Sequence, residues 1–87
     1  MKSYDEIKKI VERCNKDIFN VIDIDTCVRK IQTYCISDTN IDAFLIKEAK
    51  TILKNEIEDD LHMIKYTNDM FYDCRLQTHL DQLKKLA

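Results

Sequence analysis

Residues 41–66 read IDAFLIKEAKTILKNEIEDDLHMIKY, and this stretch decides the fold class. Apolar residues recur in it at steps of three and four, the spacing of one face of an α-helix. At 1.5 Å per residue such a helix would be roughly 37 Å long. The apolar stripe consists of Ile41, Leu45, Ile46, Ala49, Ile52, Leu53, Ile57, Leu61 and Ile64. The pattern predicts one long amphipathic helix.

The segments on either side of this helix show the same periodicity. Ser3 with Glu6 forms a capping-box pattern, which predicts a first helix over 4–22. Asp25 is the predicted N-cap of a second, short helix over 26–36. Thr67-Asn68-Asp69 favours a break before a fourth helix over 69–86, although an uninterrupted helix over 41–86 is the alternative. We therefore predict an all-α bundle of about four helices in a single domain, 1–87.

The composition supports helix independently of periodicity. The chain of 87 residues contains no Gly and no Pro. Tight β-hairpin turns depend on Gly for positive φ angles, whereas helix interiors are destabilised by both residues. The absence of Gly also excludes a P-loop, a dinucleotide-binding fingerprint and a nucleophile elbow.

Charge and hydropathy limit the partners that the chain could bind. There are 14 basic and 16 acidic residues, a net charge of −2, whereas nucleic-acid-binding domains normally carry a basic excess. No stretch approaches the roughly 20 apolar residues needed to span a bilayer. Charged residues interrupt the N-terminus where a signal peptide would be apolar. We expect a cytoplasmic protein without a membrane partner, in the host cytoplasm if the chain is viral.

The four cysteines do not have the spacing of a zinc site. Cys27 and Cys35, the closest pair, would lie about 12 Å apart along one helix, too far to hold a single ion. If the first two helices formed a hairpin, Cys14 and Cys35 would face each other, and a disulfide between them is therefore an alternative. In a reducing cytosol free thiols are expected, and we predict that Cys14, Cys27, Cys35 and Cys74 pack in the core.

Catalytic and cofactor signatures are weak. His62 follows Asp59 by three residues, but a di-iron bundle needs such a motif on two helices together with further Glu residues. No acidic residue precedes His79 at that spacing. We therefore predict a protein that is not an enzyme and that binds neither a cofactor nor a metal.

Two neighbouring sequence features suggest a protein-binding surface. The first is the acidic run Glu56, Glu58, Asp59 and Asp60, which could face a basic partner. The second is a dense group of aromatic and Met residues, types that are enriched at interfaces. Core packing would also explain the second group, and a solvated helix face would explain the first. The candidate partner-binding residues are Glu56, Glu58, Asp59, Asp60, Met63, Tyr66, Met70 and Tyr72.

The leading hypothesis is a small non-catalytic protein-binding module. It would act as an inhibitor, an immunity-type factor or an adaptor by occluding a surface of another protein, in the manner of small virus- or phage-encoded proteins. The first alternative is a structural homodimer in which the long third helix pairs with its copy. The second alternative is a helical domain that binds nucleic acid weakly, which the charge balance disfavours.

Overall fold

The computed structural model describes residues 2–87, and every regular element in them is helical. The α-helices are α1 (Tyr4–Asp17), α2 (Ile24–Thr33), α3 (Ile41–Tyr66) and α4 (Met70–Leu86). A short 3₁₀ turn at Asp38–Asn40 leads into α3. The predicted all-α fold with four helices is confirmed, including α3 over the predicted residues and the break before α4. No described helix is both long and apolar enough to cross a lipid bilayer.

The first helix begins as predicted but ends five residues early. Ser3 Oγ accepts a hydrogen bond from the Glu6 backbone N–H at 3.3 Å. The helix ends because Phe19 and Asn20 adopt positive φ angles of 65° and 57°. Asn15 stabilises this turn: its backbone oxygen accepts from the N–H of Asn20 at 2.8 Å, and its buried Oδ1 accepts from Ile22 at 3.3 Å. A chain without Gly thus uses ordinary residues for left-handed turns.

The second helix is displaced toward the N-terminus relative to its prediction. Its N-cap is Asp23, whose carboxylate accepts from Thr26 N–H at 3.2 Å, so the prediction of Asp25 as N-cap is wrong. Asp25 instead accepts a hydrogen bond from the hydroxyl of Tyr4, which links α2 to α1. This bond lowers the pKa of Asp25 and raises that of Tyr4.

The end of α2 has the hydrogen bonds of a Schellman motif. The N–H of Ile36 bonds to the oxygen of Ile31 at 3.1 Å, and the N–H of Cys35 bonds to that of Gln32 at 3.3 Å. Cys35 occupies the position where Gly is usual, with a φ of 51°. Helix α2 therefore ends before residue 36, because a left-handed residue cannot continue a right-handed helix.

The chain divides into two compact units. The first comprises the described residues up to Ala49 and contains α1, α2 and the beginning of α3. Helices α1 and α2 pack together in it. Lys30 of α2 pairs with Glu48 of α3 at 3.1 Å, which raises the pKa of Lys30. Its buried apolar core consists of Ile7, Val11, Ile18, Ile22, Cys27, Val28, Ile31, Ile41, Leu45 and Ala49.

The second unit, Lys50–Ala87, is a helical hairpin made by the rest of α3 and by α4. Leu53 and Asp60 are its only fully buried side chains among these described residues. No residue of α4 is buried. The hairpin therefore has a thin core compared with the first unit.

Candidate protein-binding surface

Three large apolar side chains are exposed where α3 meets α4. Tyr66, Met70 and Phe71 are 68%, 76% and 60% exposed, and we call them the hairpin tip. Globular proteins usually bury side chains of this size, and contiguous exposed apolar groups commonly mark interaction sites. The sequence places these residues around a helix break, where neither helix can cover them.

The connection that carries the tip is held by local hydrogen bonds. The backbone N–H and the hydroxyl of Thr67 both donate to the oxygen of Met63, at 2.8 and 3.0 Å. The carboxylate of Asp69 caps α4 by accepting from Phe71 N–H at 2.9 Å. These bonds satisfy the Met63 oxygen in the last turn of α3 and the Phe71 N–H in the first turn of α4.

Ring contacts further order the tip. His62 lies one turn before Tyr66, and the two ring centroids are 4.7 Å apart. The rings of Phe71 and Tyr72 meet edge to face at 5.2 Å. The ammonium group of Lys65 lies 6.0 Å from the centroid of the Tyr66 ring. Rings restrained in this way lose less conformational entropy on binding than freely rotating ones.

Within the hairpin, a buried carboxylate joins the two helices. Asp60 of α3 is 0% exposed, and its Oδ2 lies 2.6 Å from His79 Nδ1 on α4. Arg75 Nε lies 2.9 Å from Oδ1, but this oxygen accepts no aligned hydrogen bond, so that contact is an ion pair only. Arg75 also donates to Glu56, which raises the pKa of Arg75. We call Glu56, Asp60, Arg75 and His79 the hairpin network.

The hairpin network has a clear structural role. A buried carboxylate loses its hydration and needs compensating cations or hydrogen bonds, which Arg75 and His79 supply from the facing helix. Because each of the four residues contacts a partner on the opposite helix, the network sets the register of α3 against α4.

Among the described residues, no three His, Cys, Asp or Glu side chains are arranged to hold a metal ion.

The predicted acidic surface is smaller than its four sequence positions suggest. Glu58 and Asp59 are exposed, but Glu56 is half-buried and paired with Arg75. Asp60 is fully buried and cannot contact a partner, so the expectation that it belongs to the surface is wrong. One residue per helical turn faces the other helix, and in this run the inward position is Asp60.

The aromatic and Met candidates fall into two groups. Tyr66 and Met70 are exposed in the tip, whereas Met63 and Tyr72 are half-buried beside it. Phe71, which belongs to the same dense sequence cluster, is exposed and completes the tip. Sequence reasoning missed Arg75 and His79. The predicted break at 67–69 is the sequence signal that could have found them. When two helices run antiparallel after such a break, residues at comparable distances before and after the break lie side by side.

The cysteines differ from the expectation that all four lie in the core. Cys27 alone is buried, Cys14 is half-buried, and Cys35 and Cys74 are exposed. All four are free thiols. Cys35 is exposed because it ends α2 in the left-handed Schellman position, and Cys74 because it lies on the solvent side of α4.

Comparisons with family models, curated proteins and solved structures found no match to this chain.

Proposed function

We propose that this protein is a non-catalytic binding module that occludes a surface of another protein, as an inhibitor, an immunity-type factor or an adaptor. The observation that carries the proposal is the hairpin tip, where Tyr66, Met70 and Phe71 are each more than half exposed. Burying such side chains in a partner gains roughly 1.5–3 kcal/mol apiece before the costs of association.

The charges near the tip define the partner further. Asp69 and Asp73 are exposed at the start of α4, Glu58 and Asp59 are exposed on α3, and the exposed Lys65 beside Tyr66 is a cation among these carboxylates. A complementary partner would offer an apolar pocket for the tip, bordered by Lys or Arg side chains. Such charge complementarity accelerates association and selects the partner more than it adds affinity.

Differential capture tests this proposal. The bait variant combines Tyr66→Ser, Met70→Ser and Phe71→Ser; the matched control is Tyr34→Ser, which removes an equally exposed ring outside the hairpin. We expect at least one protein that binds the wild type and the control and is lost with the tip variant. Circular dichroism checks that all three forms remain helical. Identical capture by the three baits would contradict the proposal.

The acidic residues are tested by a separate variant. Glu58→Lys with Asp59→Lys should slow association with the captured partner, and the difference should shrink as salt rises. An unchanged association rate at low salt would show that the acidic residues lie outside the binding surface, which would then consist of the tip only.

A homodimer is the second candidate, and it rests on α4. This helix buries no residue, and Leu80 on it and Leu61 on α3 are 41% and 52% exposed. A second hairpin packed on these residues would complete a four-helix bundle. Light scattering at micromolar concentrations distinguishes the two candidates. A dimeric mass that becomes monomeric with Leu61→Lys supports the homodimer, and a monomeric wild type rejects it.

We also propose a reducing compartment such as the cytoplasm as the location. The support is that all four cysteines are free thiols and that two of them are exposed. In an oxidising compartment exposed thiols would be oxidised. Counting reactive thiols in protein taken directly from cells under denaturing alkylation checks this. Four modified cysteines are expected, and two would indicate a disulfide.

A further inference from the structure

The two helices of the hairpin carry the same apolar pattern beside the hairpin network. Asp60 on α3 and His79 on α4 face each other across the hairpin. Counted from Asp60, three apolar residues of α3 lie at offsets of −3, +1 and +4, and counted from His79, three of α4 lie at the same offsets. We call these six residues the apolar face: Ile57, Leu61 and Ile64 on α3, and Leu76, Leu80 and Leu83 on α4.

Equal offsets place these residues on one side of the hairpin. Each residue follows the previous one by about 100° around the helix axis, so all three offsets turn away from the facing helix in the same rotational sense. Since the helices of a hairpin run antiparallel, the same sense on both helices leads to the same side. Tyr66 and Phe71 of the hairpin tip turn the opposite way, at offsets of +6 from Asp60 and −8 from His79. The apolar face and the rings of the tip therefore lie on opposite sides.

The apolar face is partly open to solvent in a single copy of the chain. Leu61 and Leu80 are 52% and 41% exposed, and the other four residues are half-buried. Two helices cannot enclose apolar residues on such a side, whereas four helices packed as two layers can. In a dimer with two-fold symmetry the same patch of both copies forms the interface, so the patch must complement itself. Matching patterns on α3 and α4 meet this condition for the apolar side chains.

The charges along the apolar face show which arrangement of a second copy fits. Four exposed residues border the face: Asp73 and Lys84 on α4, and Lys54 and Glu58 on α3. A two-fold axis that crosses the helices turns the second copy end for end. Where this axis crosses α4 midway between Asp73 and Lys84, each of them lies beside the other residue in the second copy. A crossing of α3 at Glu56 does the same for Lys54 and Glu58. Three further charged residues lie beyond the ends of the apolar pattern: Lys50, Lys65 and Asp69.

The hairpin network shows that one axis meets both conditions. Asp60 contacts both Arg75 and His79, and Arg75 also contacts Glu56. In an antiparallel pair of helices these contacts place Glu56 level with the turn of α4 that contains His79. The crossing point on α4 lies in that same turn. The two crossing points are therefore at one level of the hairpin, and a single two-fold axis pairs both sets of charges.

We propose that a second copy of this chain packs on the apolar face, turned end for end, with the hairpin tip of each copy left free. The proposal rests on the homodimer candidate and makes it compatible with the binding function of the tip, because the two surfaces lie on opposite sides of the hairpin. One dimer then presents two tips and can bind a partner with two sites more tightly than a single tip does.

An exchange of charges tests the arrangement. Light scattering and sedimentation equilibrium give the dissociation constant of the dimer for the wild type, Asp73→Lys, Lys84→Asp and the double variant. Each single variant should weaken the dimer about tenfold, because symmetry repeats the contact and an exposed charge pair changes affinity by up to about fivefold. The double variant should regain most of this loss. Both changes oppose the α4 dipole, so their effects on helix stability add, and only pairing between copies explains a recovery.

The outcomes separate this proposal from the two candidates of the proposed function. A monomeric wild type would reject the homodimer candidate and the proposal together. A dimer in which the double variant is as weak as the single ones would overturn this arrangement and keep the candidate. Asp59→Lys, an exposed change outside the apolar face, is the control and should dimerise like the wild type. The triple serine variant of the tip should also remain dimeric, and its dissociation would overturn the assignment of the face.

Discussion

His79 Nδ1 on α4 lies 2.6 Å from Oδ2 of Asp60 on α3, and the Asp60 side chain is fully buried. A polar residue thus occupies the position between two helices where Leu or Ile would be usual. The hydrophobic effect is not directional, whereas the hydrogen bond between Asp60 and His79 forms only in a narrow range of alignments of the two helices. The hairpin network therefore gives a thin-cored hairpin a unique register.

The first prediction concerns this buried carboxylate. Asp60→Ala should destabilise the protein by about 1–3 kcal/mol, because it leaves His79 Nδ1 without its partner, while Arg75 keeps its pair with Glu56. Urea unfolding followed by circular dichroism measures the change. Asp59→Ala, the exposed neighbour, should stay within about 0.5 kcal/mol of the wild type. Similar losses for the two variants would show that Asp60 is not buried in solution.

The second prediction concerns packing along α3. Leu53 is 0% exposed and Leu61 is 52% exposed on the same helix. Leu53→Ala should cost about 2–5 kcal/mol, because it removes buried methyl groups and leaves a cavity. Leu61→Ala should cost about 0.5 kcal/mol or less. The two free energies of unfolding are compared by urea denaturation, and a larger loss for Leu61 would mean that the buried face of α3 is assigned wrongly.

The third prediction concerns the left-handed residue after α2. Cys35 has a φ of 51°, and the left-handed conformation costs a non-Gly residue roughly 1–2 kcal/mol. Gly has more conformational entropy in the unfolded chain, which offsets part of this gain. Cys35→Gly should therefore stabilise the protein by about 0.5–1 kcal/mol net. Lys9→Gly, at an exposed position in the interior of α1, should destabilise by a similar amount. Thermal denaturation of both variants measures the two changes in stability. A lower melting temperature for Cys35→Gly than for the wild type would refute the prediction.

The fourth prediction concerns the reactivity of Cys14. Burial, together with the hydrogen bond to Asp42, raises the pKa of the Cys14 thiol to about 11. Iodoacetamide reacts with the thiolate, so at pH 8 the exposed Cys35 and Cys74 should be modified well before Cys14. Peptide mass spectrometry after timed alkylation follows each site. Because Asp42 raises this pKa, Asp42→Asn should make Cys14 react at lower pH.

The same shift has a consequence for stability. The folded-state pKa of Cys14 lies above the unfolded value of about 8.5, so the thiol contributes stability below that pH. The contribution should be lost as pH rises through about 11. Cys14→Ala should therefore show a shallower loss of stability between pH 8.5 and 11 than the wild type. Parallel curves for the two proteins would contradict the shift.

The sequence by itself determined that this protein is helical and where its longest helix lies. Local signals carry that information: the three–four periodicity of residues 41–66, the Ser3 cap, and the absence of Gly and Pro. Each acts within a few residues along the chain, so each can be read without knowing the fold. The break at 67–69 was predicted for the same reason, since cap-type residues act on the turn that follows them.

Only the tertiary structure decided which polar residues are inside and which apolar residues are outside. Asp60 belongs to an acidic run whose neighbours are exposed, yet it is buried because α4 brings Arg75 and His79 to it. Phe71 is a large apolar side chain, yet it is 60% exposed beside the turn between two helices, with its ring against that of Tyr72. Helix α1 ends at Asp17 through a left-handed turn held by Asn15, which no Gly announces. The burial of Asp60 depends on contacts between two different helices, which local patterns cannot encode. The turn after α1 is local, but ordinary residues make it without the Gly that usually marks such a turn.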